Sequence, residues 1–159
     1  MSLTEKQRSV IHDTWKSMQQ SRKAWNDLLI SLFAKHTEYQ KLFKGFANVP
    51  LDQLRDNKRL TTQMAAVVAV ISACIECLHD ENALIDMLKG LALRHYHRNV
   101  TIQMFENMGV VFISWLVDTL GSQTMDEEAI AAWGLFYTTF VSIIKRYYEE
   151  FDNKNANNI

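Results

Sequence analysis

The chain has 159 residues, of which 48% are hydrophobic, and its formal net charge is −1. This length fits one domain with a sizeable core, and the charge gives no general attraction to nucleic acid or to an anionic membrane. One Pro and five Gly leave few residues for tight turns, so the composition predicts an all-α protein. We expect one domain over residues 1–151 and a frayed, polar tail over residues 152–159.

The location expected from the sequence is the cytoplasm. The polar N-terminal residues, Met1 to Lys6, lack the apolar core of a signal peptide. The longest strongly apolar stretch, from Met64 to Ile75, is shorter than the roughly 20 residues that a membrane span requires. We therefore expect no membrane partner.

Caps and apolar periodicity predict the helices of the N-terminal part. Thr4 and Gln7 have the spacing of a capping box, so a first helix is expected over residues 4–20. A second apolar series at helical spacing starts at Trp25 and continues into the segment 36–42. These patterns predict two helices and a following turn.

A short helix and a long one are predicted next. Pro50 suits the first position of a short helix over residues 50–54, and Asp56 or Asn57 can cap the helix that follows. The apolar positions of this long helix are Leu60, Met64, Val67, Val68, Ile71, Cys74, Ile75 and Leu78. The pattern predicts a helix with one strongly buried face.

The C-terminal half contains three more predicted helices. The first has apolar-face positions separated by four, three and four residues, at Leu84, Leu88, Leu91 and His95. The second starts near Ile102 and ends at Gly121. The third is expected to begin at a capping box formed by Thr124 and Glu127.

His95 lies on the apolar face of its helix, where a buried imidazole needs a partner for each ring nitrogen. It can be a core histidine bonded to a backbone carbonyl, or it can be a metal or haem ligand. The carbonyl of Leu91, four residues earlier, can hold one ring N–H and leave the other nitrogen free to bind iron. The helical phase alone leaves both roles open.

Several short segments, taken in order, resemble the globin family over about residues 3–150. They are Leu3-Thr4-Glu5 with Trp15, Leu32-Phe33 with Phe43 and Phe46, and Leu91 to His95 with Val100 and Phe105. The resemblance implies a globin fold of seven to eight helices around a haem pocket. It also implies a non-covalent haem b with His95 as the proximal iron ligand.

The resemblance further implies a set of residues around the haem. Gln63 takes the place of the usual distal histidine, where its amide can donate to bound oxygen. A slip of one residue would put Met64 there, but it would turn Glu76 into the core, so we prefer Gln63. Trp25 and Met64 stand where the family has small residues at a helix crossing. The expected haem contacts are Phe43, Phe46, Gln63, Val67, Leu91, Arg94, His95, Arg98, Val100, Phe105 and Met108.

Cys74 and Cys77 are three residues apart, a spacing shared by redox pairs and metal ligands. No strand is predicted before them and there is no second pair, so we expect small buried hydrophobes. Cys77 is followed by Leu78 and not by histidine, so the motif for covalent haem attachment is absent.

These features favour reversible binding of oxygen, and of carbon monoxide and nitric oxide, for storage, buffering or intracellular transport. We expect a carrier with minor haem redox activity and not a dedicated enzyme, in the form of a monomer or a homodimer. The alternatives are a haem nitric oxide dioxygenase, nitrite reductase or other redox enzyme, and a gas sensor with six-coordinate iron.

Overall fold

The structure, a computed structural model, describes residues 3–158, and every regular element in that range is helical. The six α-helices are α1 (Glu5–Gln20), α2 (Trp25–Lys35), α3 (Lys58–Glu76), α4 (Glu81–Tyr96), α5 (Ile102–Leu120) and α6 (Glu127–Ala156). Short 3-10 helices occupy Arg22–Ala24, Thr37–Leu42, Leu51–Gln53 and Cys77–His79. The prediction of an all-α fold is confirmed.

The capping residues predicted for α1 and α3 are in place. The Thr4 hydroxyl accepts from the Gln7 backbone N–H at 3.1 Å, and the Gln7 side chain accepts from the Thr4 N–H at 2.9 Å. At α3, the Asn57 side chain accepts from the backbone N–H groups of Arg59 and Leu60, both at 3.0 Å. Each cap pairs N–H groups that have no acceptor within the helix.

The start and the end of α6 differ from the expectation. Asp126, not Thr124, is the N-cap, because its carboxylate accepts from the Ala129 N–H at 2.9 Å. The helix also continues to Ala156, so the prediction of a frayed tail from residue 152 is wrong over most of that segment. The extension is held to α4, since the Tyr96 hydroxyl donates to Asp152 and accepts from the Asn155 amide.

Aromatic residues of α1, α5 and α6 form the centre of the core. The rings of Trp15, Phe112 and Trp133 lie with centroids 5.4–6.4 Å apart. The Trp133 indole N–H donates at 2.9 Å to the hydroxyl of Thr14, which with Asn26 is one of the two buried polar residues in the range 3–158. The indole N–H of Trp133 is therefore hydrogen-bonded although its ring is buried in the core.

Helix α3 and its 3-10 continuation, Lys58–His79, are long and apolar enough to cross a membrane by length and composition alone. The apolar stretch is thus longer than the segment from Met64 to Ile75. In the structure this helix packs against α1 and α2. Ser72 accepts from the Trp15 indole at 2.9 Å, and the Asn26 amide donates to Thr61 at 3.0 Å.

Candidate functional site

A cavity of about 380 Å³ lies among α2, α3, α4, α5 and α6 and the 3-10 helix Thr37–Leu42. Its volume lies in the range of roughly 300–1,000 Å³ that is typical of cofactor sites. The wall is mostly aliphatic and aromatic, and its few polar side chains are Tyr39, Gln63, Arg94, His95, Arg98 and Tyr137, with Cys74 as a thiol. The cavity is therefore suited to a large, mostly apolar ligand.

The structure brings together ten of the eleven residues that the sequence predicts around a haem. These residues are Phe43, Gln63, Val67, Leu91, Arg94, His95, Arg98, Val100, Phe105 and Met108. Phe46, predicted as a haem contact, is the exception and does not line the cavity. Its buried ring stacks behind Phe43, with centroids 5.2 Å apart, and also faces Phe33 at 6.2 Å. It therefore supports Phe43 from the core side.

His95 lies near the end of α4 and has one ring nitrogen engaged. Its Nδ1 donates to the Leu91 carbonyl at 2.9 Å, as the helical spacing predicts. Among the described residues, none is bonded to Nε2, so this nitrogen keeps a free lone pair. Burial lowers the pKa of His95, and the charges of Arg98 and Arg94 add to that effect. The site thus offers a neutral, oriented imidazole to an electrophile in the cavity.

Gln63 is the polar member of the α3 wall. It is partly buried and makes no hydrogen bond with the part of the chain that the structure describes. The other wall residues of this helix are Ala66, Val67, Val70, Ile71 and Cys74, which share its face at helical spacing. The Gln63 amide is therefore available to donate to a ligand beside an apolar wall.

The two large residues at the α2–α3 crossing do not enter the cavity. Met64 has no exposed surface and packs in the core. The Trp25 indole N–H donates to the Met18 carbonyl at 3.0 Å, so its ring is tied to α1. The structure accordingly places Gln63, and not Met64, on the cavity wall.

Two arginines mark the solvent side of the cavity. Arg94 and Arg98 are exposed, and no carboxylate in residues 3–158 forms an ion pair with either of them. His97, between them, is also exposed. Their guanidinium groups can therefore pair with carboxylates of a ligand where these extend from the cavity to the surface.

Part of the wall was not assigned to the site by sequence reasoning. It includes Tyr39, Val70, Met104, Phe136, Tyr137 and Phe140. The Tyr137 hydroxyl donates to the Phe105 carbonyl at 2.8 Å, and burial raises the pKa of Tyr137. The apolar periodicity of α6 could have indicated Tyr137 and Phe140, because both lie on the apolar side of this helix.

Cys74 and Cys77 are both free thiols and differ in burial. Cys74 is 1% exposed, and burial raises its pKa to about 12, whereas Cys77 is partly exposed. Across residues 3–158, no three His, Cys, Asp or Glu side chains are grouped to hold a metal ion. A single free imidazole in an apolar cavity instead suits an iron whose other ligands come mainly from a macrocycle.

The chemistry of the residues that line this cavity fits a haem. His95 could supply one nitrogen ligand, and Phe43 and Phe105 offer flat rings for packing. Arg94 and Arg98 are free to pair with the two propionates. Of the described residues that line the cavity, His95 is the one histidine.

Comparisons with known proteins agree with this geometry. The family model "Globin" matches residues 26–144. A globin of Buccinum undatum is 26% identical over 144 residues, covering 88% of this chain and 97% of its own. Cytoglobin-1 of Oryzias latipes is 24% identical over 153 residues, covering 93% and 85% of the two chains.

A solved structure shares the fold. It is a hexacoordinated haem protein from an anhydrobiotic tardigrade, crystallised at pH 4, and superposes with a TM-score of 0.83 at 19% identity. The match covers 92% of this chain and 96% of the tardigrade protein. The family model covers most of the sequence, from α2 to the middle of α6. The chain belongs to the globin family of haem proteins.

Proposed function

We propose that this globin binds oxygen reversibly through a non-covalent haem b, with His95 as the proximal ligand. The observation that carries the proposal is the pairing of two unengaged nitrogen groups in one apolar cavity. These groups are Nε2 of His95 on α4 and the side-chain amide of Gln63 on α3. When bound, the haem supplies an iron that takes a diatomic gas at an open coordination position.

His95 would hold the iron in a fixed orientation. Its Nδ1–H bond to the Leu91 carbonyl sets the tautomer, so the lone pair is on the nitrogen that is free to coordinate. The Phe105 ring lies 5.3 Å away, between centroids, and limits rotation of the imidazole. Burial lowers the pKa of His95 and so favours the neutral ring that a metal ligand requires.

Gln63 would distinguish oxygen from carbon monoxide. Its amide N–H would favour oxygen over carbon monoxide, because oxygen would draw more negative charge from the iron of a haem held here. The neighbouring Val67 and Ile71 are apolar and limit the entry of water to this part of the cavity. One donor in an apolar wall would support reversible binding over oxidation of the iron, in which the electron would leave with the oxygen as superoxide.

We further propose that the ferrous iron is five-coordinate without gas. Met64, the internal ligand considered from the sequence, is fully buried in the core and does not line the cavity. An amide such as that of Gln63 is a weaker ligand for iron than imidazole or thioether. The competing proposals are a sensor with six-coordinate iron and an enzyme that oxidises nitric oxide or reduces nitrite.

The test is a cycle of oxygenation and deoxygenation of the reduced protein. We expect the Soret band to shift with oxygen, to return under argon, and to shift again with carbon monoxide. Rapid conversion to the ferric form in place of a reversible shift would favour the enzymatic proposal. A ligand-free ferrous spectrum with two strong axial ligands would favour the six-coordinate proposal.

A further inference from the structure

A series of aromatic rings connects His95 with the surface of the protein. The His95 ring lies 5.3 Å from that of Phe105, and the Phe105 ring lies 6.3 Å from that of Tyr148, between centroids. Tyr148 in turn lies 5.1 Å from Tyr96, which is partly exposed. Each distance is within the range of roughly 4.5–7 Å that is typical of aromatic pairs in contact. We call Phe105, Tyr148 and Tyr96 the aromatic chain.

The outer end of the aromatic chain has a hydrogen-bond partner that sets it apart from the other tyrosines. The Tyr96 hydroxyl donates to the carboxylate of Asp152, which is exposed, and accepts from the Asn155 amide at 3.2 Å. Of the five tyrosines, Tyr96 is the one that donates to a carboxylate within residues 3–158, whereas three others donate to backbone carbonyls. A carboxylate can take up a phenolic proton and later donate it back, which a backbone carbonyl cannot do.

We propose that Tyr96 is an electron-entry site, at which a small uncharged phenol supplies electrons to the haem through the aromatic chain when hydrogen peroxide is the oxidant. This inference rests on the haem and on the role of His95 in the proposed function, and it adds the consumption of peroxide to the binding of oxygen. Electron transfer slows steeply with distance, so a series of rings in contact is faster than one step of the same total length. Tyr148 and Tyr96 are phenols and lose an electron far more readily than Phe105, which serves as the contact between Tyr148 and His95.

The reaction at Tyr96 moves one electron and one proton. The electron leaves the ring towards the haem, and the hydroxyl proton passes along the existing hydrogen bond to Asp152, which leaves a neutral tyrosyl radical and a carboxylic acid. The phenol then gives one electron to this radical and one proton to solvent and becomes a phenoxyl radical, while Asp152 returns its proton to the Tyr96 oxygen. Two such turns supply two electrons, which with two protons from solvent reduce one hydrogen peroxide to two molecules of water.

The surroundings of Tyr96 favour an uncharged reductant. Asp152 places a negative charge beside the hydroxyl, and Glu149, one turn earlier on α6, is also exposed. These carboxylates repel an anion such as ascorbate, whereas a phenol has no charge and presents a hydroxyl that can accept from the Asn155 amide. Because the electron enters at the surface, the phenol does not have to enter the haem cavity.

The first test locates the radical in the native protein. The ferric haem protein is mixed with hydrogen peroxide and the spin trap 2-methyl-2-nitrosopropane, and the adduct is mapped by mass spectrometry of tryptic peptides. We expect the adduct on Tyr96 and a tyrosyl signal in the electron paramagnetic resonance spectrum of rapidly frozen samples. If peroxide changes the Soret band but no adduct forms on Tyr96, the proposal is overturned.

The second test measures how fast peroxide is consumed with hydroquinone as the phenol. Tyr96→Phe keeps the ring and its contacts with Tyr148 and Phe151 but removes the oxygen. Asp152→Asn keeps an acceptor for the hydroxyl but cannot take up its proton. Each variant should consume peroxide more slowly by about threefold or more, while its carbon monoxide spectrum stays that of the native protein.

A second tyrosine of α6 supplies the matched control. The Tyr147 hydroxyl donates to the Ile85 carbonyl, and Tyr147 lies outside the aromatic chain. Tyr147→Phe should therefore consume peroxide at the native rate and should still form the adduct on Tyr96. Native rates in Tyr96→Phe, or equal losses in Tyr96→Phe and Tyr147→Phe, would overturn the electron-entry site.

The two failures can be told apart. If the native protein gives no spectral change with oxygen or carbon monoxide, the proposed function is wrong. If its spectra change with both gases and with hydrogen peroxide but Tyr96 acquires no adduct, the inference alone fails.

Discussion

The contact between Gly109 and Tyr137 allows a quantitative prediction about the wall of the haem cavity. A Cβ at Gly109 would lie 2.5 Å from Cε1 and 2.7 Å from Cδ1 of Tyr137. Both distances are far inside van der Waals contact, so in Gly109→Ala the ring must move. The move would strain or break the bond from the Tyr137 hydroxyl to the Phe105 carbonyl, which is 2.8 Å long.

The expected size follows from three terms. Overpacking a core costs about 1–3 kcal/mol, and a lost hydrogen bond costs about 0.5–1.5 kcal/mol. The change from Gly to Ala within a helix raises the free energy of unfolding by about 0.5–1 kcal/mol. Gly109→Ala should therefore lower the free energy of unfolding by about 0.5–4 kcal/mol in urea titrations followed by circular dichroism.

A second glycine gives the matched control. A Cβ at Gly134, on α6, meets no atom within 4 Å. Gly134→Ala should therefore raise the free energy of unfolding by about 0.5–1 kcal/mol through helix propensity. If both variants stabilise the protein equally, the close approach of Tyr137 to α5 does not exist and the account of this wall is wrong.

Three further predictions concern polar contacts. Gln63→Leu should speed oxygen dissociation by about tenfold, the equivalent of about 1.4 kcal/mol, and change carbon monoxide dissociation less; equal effects on the two gases would argue against amide donation. Thr14→Val should cost about 1–3 kcal/mol of unfolding free energy, because it leaves the buried Trp133 N–H unpaired; a neutral result would contradict this. The hydrogen bond to Asp152 raises the pKa of Tyr96, so that contact stabilises the fold below the ordinary tyrosine pKa and is lost as the pH rises through the raised value. Stability between pH 9 and 12 should therefore fall less steeply in Tyr96→Phe than in the native protein, and identical profiles would refute the link.

The sequence predicts the parts of the site that depend on helical phase. The Leu91 carbonyl is one turn before His95, so its bond to the ring follows from the helix alone. In the same way, the cap at Asn57 is set by neighbours within three residues. Such features need no knowledge of how the helices are arranged.

Features that depend on tertiary packing were missed or misplaced. Phe43 and Phe46 are three residues apart, and only the turn between them decides which ring faces the cavity. The Asn-rich end of α6 resembles a tail in composition, but Asp152 and Asn155 bind Tyr96 from α4. No local pattern reports a contact between residues more than fifty positions apart in the chain.

The role of His95 is tested most directly by the iron–histidine stretching band in the resonance Raman spectrum of the ferrous, ligand-free protein. We expect a five-coordinate spectrum with this band in the native protein and in His97→Ala, whose substituted residue is exposed. The band should be lost in His95→Ala. A band that persists in His95→Ala, or a six-coordinate spectrum in the native protein, would contradict the assignment of His95 as the proximal ligand across from an open gas site.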